Sequence, residues 1–410
     1  MKKKNPDGPD ASRRGFLKLF TMSAAGTVLL PKTHIPKTLF GNALSAKNAK
    51  AHGTASILND QEPAKTNIAD ALKYPRTITS MPGKYPARVV QVGNENSVKN
   101  GQPDYDAAYL MIKQGMLALT GEQDLKKAWR KFVNKKDRIG LKINPVAGVQ
   151  LSTSHAVVKA VISQLEEAGI PRPNLVIWDR REFEMYETGF TPENYPGITI
   201  TGTERKDKNG SFYDAQGKLY GEEMIDKTWY YRADCEDKYD AETMPYMINE
   251  GKESYFSKIV TQQLDKIINI PILKNAGSSV TLALKNLAYG SISNTGRLHK
   301  NFWADTCAEV NAFPPLRDKV VLNIADGLIG CYQGGPAANA QFITNFNTIL
   351  ISTDPVAIDR IGYEIILKKR IEEKIQKEDI PKSRKFLDMA EKLGLGTADL
   401  SKIKLQKIQL

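Results

Sequence analysis

Between residues 137 and 180, the sequence alternates an apolar run, an amphipathic segment and a second apolar run. The stretch DRIGLKINPVAG predicts a buried strand, and STSHAVVKAVISQLEEAGI predicts a helix that opens on Ser and Thr caps and closes at Gly169. The stretch PNLVIWDR predicts the next strand. Because a helix that joins two buried strands acts as a crossover, the pattern favours parallel strands and an α/β fold.

The same alternation recurs on both sides of this unit. Before it, ARVVQVGN predicts a strand and DYDAAYLMIKQGMLALTG a helix ended by glycine. After it, DKIINIPIL, DKVVLNIADGLIG and FNTILIST predict strands, and DPVAIDRIGYEIILKKRIEEKI predicts a long helix. We therefore predict an α/β domain over residues 86–410, with a mainly parallel sheet flanked by helices.

A polar segment interrupts this pattern at residues 181–255. It is rich in tyrosine and in turn residues, and DKNGSFYDAQGKLYG predicts a hairpin. The segment lacks the long apolar runs of the flanking sequence. We predict a smaller, turn-rich α+β insertion here.

The N-terminus begins with a basic, polar stretch that contains SRRGFLK at residues 12–18. An apolar run and the small-residue sequence ALSA follow, so residues 1–46 resemble a twin-arginine (Tat) signal peptide. The apolar run has about 12 residues, whereas a membrane span needs roughly 20, so we expect no stable span. The alternatives are a membrane anchor or a chance pair of arginines. Residues 47–85 are predicted to be an irregular arm or linker. We expect the Tat machinery as a partner, and a periplasmic or secreted protein.

The net charge of +12 is unevenly spread. Residues 1–46 contain eight Lys or Arg and two Asp, which is +6 and leaves +6 for the remainder. A positive charge of this size favours small anions. The sequence has no zinc-finger spacing and no aromatic-glycine sheet motif, so we do not expect nucleic acid as a partner.

Three cysteines occur, Cys235, Cys307 and Cys331. Their spacing is too wide for a C-x-x-C cluster, so the chain has no self-contained iron–sulfur motif. A disulfide between Cys307 and Cys331 is one interpretation, and three buried, small apolar side chains are the favoured one.

Polar side chains follow several predicted strands, at the edge of the sheet where ligands of α/β proteins bind. These residues are Lys142, Asn144, Asp179, Lys274, Asn275, Asp326, Gly327 and Asp354. Each could instead be a turn residue or a helix cap, above all Asp354 before Pro355. A lysine at the end of a buried strand is costly unless it meets an anion or a carboxylate. The stretch from Ile272 to His299 contains no Asp or Glu, which fits a pocket for an anion.

Histidines and paired glycines give further candidates. His155 lies at a predicted helix N-terminus and His299 follows NTGR, so each could be a base, a ligand or a structural neighbour. The pair Gly334 and Gly335 would let a ligand approach the backbone closely, or form an ordinary turn. Nucleotide fingerprints, H-E-x-x-H and G-x-S-x-G are absent from the sequence.

Four stretches together resemble the family called domain of unknown function 362. They are DRIGLKINPVAG…TSHAVVKAVISQLEEAGI, DKIINIPILKNAGSSVTLALKNLAYGSI…GRLH, VVLNIADGLIGCYQGGP and ILISTDPVAIDRIG, in the order of the family. The resemblance implies a site at Lys274, Lys285, Asn286, His299, Asp326, Gly327, Asp354 and Asp359. It also implies a redox partner, since members of the family resemble partners of iron–sulfur systems. The family's Lys-x-His is here Lys274-Asn275-Ala276, so a histidine role at that place does not transfer.

These observations favour an enzyme that acts on a small anionic ligand in a crevice lined by Lys, Asn and His. The catalytic candidates are His155, His299, Lys274 and Lys285. The substrate-binding candidates are Lys142, Asn144, Asn275, Asn286, Asp326, Gly327, Gly334 and Gly335. The cofactor is unknown, and a metal site has weak candidates in His155, His299, Asp354 and Asp359. The alternatives are a metal- or cofactor-dependent redox protein and a non-catalytic periplasmic binding or assembly protein.

Overall fold

The structure is a computed structural model that describes residues 65–235, 252–276, 279–299 and 301–410, with the side chains of 381 and 382 left aside. The predicted signal peptide at residues 1–46, and residues 47–64 of the predicted arm at 47–85, lie outside the described residues. Among the described helices, none combines the length and the apolar character needed to cross a membrane.

A mixed sheet of ten strands forms the centre of the described part of the chain. Eight strands follow one another across it in the order β14-β1-β13-β12-β9-β4-β5-β6, and the β10–β11 hairpin joins at β12. The strands are β1 (Arg88–Gly93), β4 (Ile139–Lys142), β5 (Leu175–Arg181), β6 (Thr199–Glu204), β9 (Lys266–Asn269), β10 (Ile272–Ala276), β11 (Ser279–Thr281), β12 (Val320–Cys331), β13 (Ile343–Ser352) and β14 (Lys404–Gln409). Two short strands, β2 (Val98–Lys99) and β3 (Gln102–Pro103), pair separately.

Most neighbouring strands of the sheet run parallel. β12, β9, β4, β5 and β6 form one continuous parallel block, and β1 is parallel to β14. β13 runs antiparallel to both β1 and β12. The predicted α/β fold with a mainly parallel sheet is therefore confirmed.

Helices cover both faces of the sheet. They are α1 (Ile68–Leu72), α2 (Tyr105–Thr120), α3 (Leu125–Arg130), α4 (His155–Glu167), α5 (Glu182–Glu187), α6 (Ala283–Ser291), α7 (Trp303–Glu309), α8 (Pro314–Arg317), α9 (Pro355–Glu372) and α10 (Lys385–Lys392). Alternate strand residues enter two separate cores: Leu175 and Ile177 pack with α2, α3 and α4, and Val176 and Trp178 pack with α6, α7, α9 and α10. Both faces are buried, as parallel sheets require.

The segment predicted as an insertion begins later than its polar composition suggests. β6 lies at residues 199–204 and pairs with β5, so this part belongs to the main sheet. Beyond it, two turns and an isolated bridge between Tyr213 and Leu219 form the hairpin-like stretch. The strands β7 (Ile225–Arg232) and β8 (Glu253–Ser257) form a small antiparallel sheet.

Residues 65–85 pack onto the domain. Ala71 and Met81 are buried, and the Met81 amide donates to the Arg317 carbonyl over 2.8 Å. Thr66 forms a bridge with Ala233 beside β7. This part of the predicted arm thus has defined contacts.

Candidate functional site

The carboxyl ends of β4, β5 and β9 carry a buried polar cluster. Lys142 ends β4, Asp179 lies near the end of β5 and Asn269 ends β9. β10 adds Lys274, and α6 adds Asn286. Because parallel strands end at the same edge of a sheet, this is the edge where the sequence predicted a crevice. We call this cluster, together with Lys285 and His299, the crevice, after the ligand site that the sequence predicts at this edge.

Lys142 is fully buried and fully partnered. Its ammonium forms an ion pair with Asp179 and donates to the Ile143 carbonyl over 2.7 Å and to Asn286 Oδ1 over 3.1 Å. Gly290 of α6 packs against the Lys142 chain, and a methyl group there would overlap the lysine. Burial lowers the pKa of Lys142, and the Asp179 charge opposes that shift.

Lys274 is buried to the same degree but has far fewer partners. Its side chain is 1% exposed, and its ammonium donates to Asn144 Oδ1 over 2.9 Å. Among the described residues it has no ion pair. Burial, and then the charge of nearby Lys285, lower the pKa of Lys274 to about 7.

A chain of side-chain amides links Lys274 to the interior of the sheet. Asn144 Nδ2 donates to Asn286 Oδ1 (2.9 Å), Asn286 Nδ2 to Asn269 Oδ1 (2.8 Å), and Asn269 Nδ2 to Asn323 Oδ1 (2.9 Å). All four residues are at most 5% exposed. Each amide accepts on one side and donates on the other, so every link has the same direction. This amide chain fixes the orientation of the Asn144 oxygen that receives Lys274.

Lys285 and His299 lie nearer to solvent. The Lys285 ammonium lies 5.6 Å from the centroid of the Tyr289 ring and has no hydrogen bond or ion pair among the described residues. The His299 ring contacts the same tyrosine, with centroids 4.5 Å apart. Its Nδ1 lies 2.9 Å from the Thr295 carbonyl, so Nδ1 carries the proton and Nε2 keeps a free lone pair. The His299 side chain reaches solvent, yet the protein packed around it and the Lys285 charge lower its pKa.

Acidic and arginine residues that the sequence did not single out complete the surroundings. Arg180 and Arg181 at the end of β5 both pair with Glu204 of β6, and Arg181 also pairs with Glu184. Arg180 donates to Thr295, next to the His299 segment. Ile272–His299 contains no Asp or Glu, as the sequence shows, but β5, α5 and β6 bring Asp179, Glu184 and Glu204 to the surroundings of the crevice.

The structure does not bring His155 to the crevice. Its Nε2 donates to the Thr188 carbonyl over 2.9 Å, and its Nδ1 accepts from the Tyr195 hydroxyl over 2.6 Å. The ring stacks on Phe190 with centroids 4.3 Å apart. Both nitrogens are used within the fold, so His155 joins α4 to the segment that follows α5.

Four further candidates have structural partners in the fold. Asp326 is buried and accepts from the amides of Ser154 (2.7 Å) and Leu328 (3.1 Å). Gly327 lies against Thr348 of the neighbouring strand. Gly335 lies so close to Asn275 that a methyl group would overlap the Asn275 carbonyl oxygen. The space that Gly335 leaves is therefore taken by the protein's own backbone and not by a ligand. Gly334 has φ = +78°, a backbone angle that favours glycine.

The two aspartates proposed as weak metal candidates act as helix caps. Asp354 accepts from the amides of Val356 and Ala357 at the start of α9, as the favoured interpretation predicted. Asp359 accepts from Ala283 (2.6 Å) and Leu284 (3.0 Å), and so caps α6 from a neighbouring helix. Within the described ranges, no group of three or more His, Cys, Asp or Glu is arranged to hold a metal ion.

Within the described residues, no disulfide joins any two of the three cysteines. Cys307 is buried in the core around α7, and Cys331 packs with Leu151 and Ile272 at the end of β12. Burial raises the pKa of Cys307 to about 12, which keeps it protonated.

Fold and crevice define an α/β protein with a buried Lys/Asn cluster at the carboxyl edge of its sheet. The sequence profile of the domain of unknown function 362 matches residues 139–364. Because this match covers more than half of the chain, the protein belongs to that family.

No curated protein matches the chain. Among solved structures, a crystal structure of a protein from Thermotoga maritima, a structural genomics target, is similar, with a TM-score of 0.36 and 10% sequence identity. The similarity covers 63% of this chain and 59% of the other. The chain thus spans less than two thirds of that neighbour.

Proposed function

We propose that this protein is exported by the Tat route and acts in the periplasm as an enzyme on a small anionic substrate bound in the crevice. The observation that carries the proposal is Lys274, a lysine 1% exposed whose only described partner is a neutral amide. A buried lysine without a counter-ion is costly to the fold. A substrate anion would supply the missing charge.

Lys285 is the second group that favours an anion. It is half-buried, has no described hydrogen bond or ion pair, and its charge acts on both Lys274 and His299. The carboxylates around the crevice do not compensate for these two lysines, since Asp179 pairs with Lys142, and Glu184 and Glu204 pair with arginines. An anion held here would contact ammonium groups in a partly desolvated setting, where charge-assisted hydrogen bonds are strong.

His299 is suited to proton transfer in such a reaction. Its Nδ1–H is held by the Thr295 carbonyl, and its Nε2 has a free lone pair. This lone pair can accept a proton, as a general base requires. We expect His299→Ala to reduce turnover by about 10²–10⁴-fold. The melting temperature should change little, because the side chain is exposed.

Anion binding is tested by following the melting temperature of the purified chain against a panel of small carboxylates and phosphates. We expect Lys285→Met to weaken binding of the best anion about 10–100-fold, the effect of losing one charge-assisted hydrogen bond. Lys319→Met is the matched control, because Lys319 is also half-buried but donates to the Val260 and Thr261 carbonyls before β12 begins. Equal loss in both variants, or no stabilising anion at all, would contradict the proposal.

Export is tested separately by cell fractionation. Replacing both Arg13 and Arg14 with lysine should retain the chain in the cytoplasm if the paired arginines are the Tat signal. Replacing Lys2 and Lys3 with arginine preserves charge elsewhere in the segment and should leave export unchanged. Export of the double-lysine variant at the normal level would refute this part of the proposal.

A further inference from the structure

The crevice contains two buried lysines with opposite surroundings. Lys142 has a carboxylate and two oxygen acceptors, which match the three donors of an ammonium group. Lys274 has one neutral acceptor, Asn144 Oδ1. Lys142 thus has the partners that a charged ammonium group requires, whereas Lys274 has no counter-ion among the described residues.

We propose that Lys274 is a nucleophile that forms an imine with an aldehyde or ketone carrying a carboxylate or phosphate group. The inference rests on the proposed function and narrows its substrate class from small anions to anionic carbonyl compounds. It is carried by the buried position of Lys274, its single neutral partner, and the second lysine nearby.

The arrangement suits a nucleophilic amine in two ways. One N–H of a neutral Lys274 can stay on Asn144, whose orientation is fixed by the amide chain, and this leaves the nitrogen lone pair available. Burial and the adjacent Lys285 bring the pKa of Lys274 to about 7, against an ordinary 10.5. A lysine desolvated beside another cation is activated for attack on carbonyl groups.

The chemistry balances without a further reactant. The Lys274 lone pair forms a C–N bond to the carbonyl carbon while the carbonyl π pair moves to oxygen. A proton passes from nitrogen to that oxygen and gives a carbinolamine. Its C–O bond then breaks, the nitrogen lone pair forms the C=N bond, and the second N–H proton leaves with the hydroxyl group as water. The amine and the carbonyl compound thus give an imine and one water molecule.

Lys285 and His299 have complementary roles. Lys285 would hold the anionic group, since its ammonium has no other described ionic partner. His299 Nε2 would relay the proton from nitrogen to oxygen. Lys142, fixed by Asp179, would remain charged and unreactive.

The test is reductive trapping with glyoxylate and cyanoborohydride at pH 7, followed by peptide mapping of the intact chain. Cyanoborohydride reduces the imine, so a reacted lysine gains one carboxymethyl group. At this pH the neutral fraction of Lys274 is about 10³-fold larger than that of a lysine with a pKa of 10.5. We expect the adduct mainly on Lys274, with Lys142 unmodified in the same sample. Lys285→Met should reduce this labelling, because the anion anchor is lost.

Oxalate, an anion that forms no imine under these conditions, separates the two proposals. If oxalate and glyoxylate both raise the melting temperature but Lys274 carries no adduct, the imine is refuted and anion binding stands. If the label follows the exposure of surface lysines, the imine is likewise refuted. If neither anion stabilises the chain and no Lys274 adduct forms, both proposals fail. Mapping the unaltered chain makes each outcome independent of whether any variant folds.

Discussion

The two buried lysines should respond in opposite directions when each is replaced by methionine. Lys274→Met removes an amine that is buried without a counter-ion, and keeps an unbranched side chain of similar length. Lys142→Met removes the partner of Asp179, which is 3% exposed. We expect the first variant to be more stable than the natural chain at neutral pH, and the second to be less stable.

The magnitude follows from the pKa of Lys274, about 7 in the folded chain against 10.5 ordinarily. By linkage, this difference costs the folded state about 4 kcal/mol at pH 7. The loss of the donor to Asn144 Oδ1 offsets about 1–3 kcal/mol of the gain. Lys274→Met should therefore stabilise the chain by about 1–3 kcal/mol at pH 7. Lys142→Met should destabilise it by about 3–5 kcal/mol, the effect of leaving a buried charge unpaired.

Urea unfolding at pH 7 and pH 10 measures both effects. A base whose pKa is lowered by folding binds fewer protons in the folded chain than in the unfolded chain between about pH 7 and 10.5, so its contribution to stability rises with pH across that window. At pH 10 Lys274 destabilises the folded state by only about 1 kcal/mol, so the stability gain of Lys274→Met should vanish or reverse. The charged groups that act on Lys274 are Lys285, Glu184 and Asp179, with Cys331 as the neighbouring thiol.

Comparison between variants isolates Lys274 from other titrating groups. The difference in unfolding free energy between the natural chain and Lys274→Met should change by about 3 kcal/mol from pH 7 to pH 10. If Lys274→Met destabilises the chain as strongly as Lys142→Met at pH 7, then Lys274 is charged and well compensated, and the argument from its single partner is wrong.

Three further substitutions test other contacts around the site. Gly290→Ala should destabilise the chain by about 1–3 kcal/mol, because the added methyl group displaces Lys142. A double-mutant cycle measured by urea unfolding should show a smaller effect of Gly290→Ala in a Lys142→Met background. Asp359→Ala should lower stability by about 0.5–2 kcal/mol through loss of the α6 cap, whereas Asp359→Asn, which retains an acceptor oxygen, should lose less in the same assay. Gly335→Ala should lower the melting temperature by several degrees, since its methyl group overlaps the Asn275 carbonyl. Gly210→Ala should show only backbone strain, because Gly210 has φ = +83° and no neighbour within reach of the added methyl group.

The fold class could be predicted from the sequence because its buried strands and its amphipathic helices both leave clear apolar patterns. Leu175–Trp178 is a continuous apolar run, and His155–Glu167 keeps its apolar residues on one helix face. β6 was assigned to the insertion because TITGTE is a polar edge strand, which has no long apolar run to mark it. Only its pairing with β5 shows that it belongs to the sheet.

The sequence indicated where in the fold the candidate site lies, but not which side chains contact each other there. Strand ends pointed to Lys142, Asn144 and Lys274, because polar residues after buried strands cluster at one edge. The partner of Lys142 lies 37 residues away, and no local spacing indicates such a pair. For His155 the sequence position was misleading. A histidine at the start of a helix suggests a catalytic role, but its Nδ1 accepts a hydrogen bond from the Tyr195 hydroxyl.

The direction of the amide chain has a consequence for what can bind. From Lys274 through Asn144, Asn286 and Asn269 to Asn323, every link points the same way, and the last amide donates to the Ser352 carbonyl over 3.4 Å. The end at the crevice is therefore an oxygen. A ligand that takes the place of the Lys274 ammonium at Asn144 Oδ1 must donate an N–H or O–H. A group that can only accept a hydrogen bond would require all four side-chain amides to flip. The four buried asparagines thus make this position selective for groups that donate a hydrogen bond.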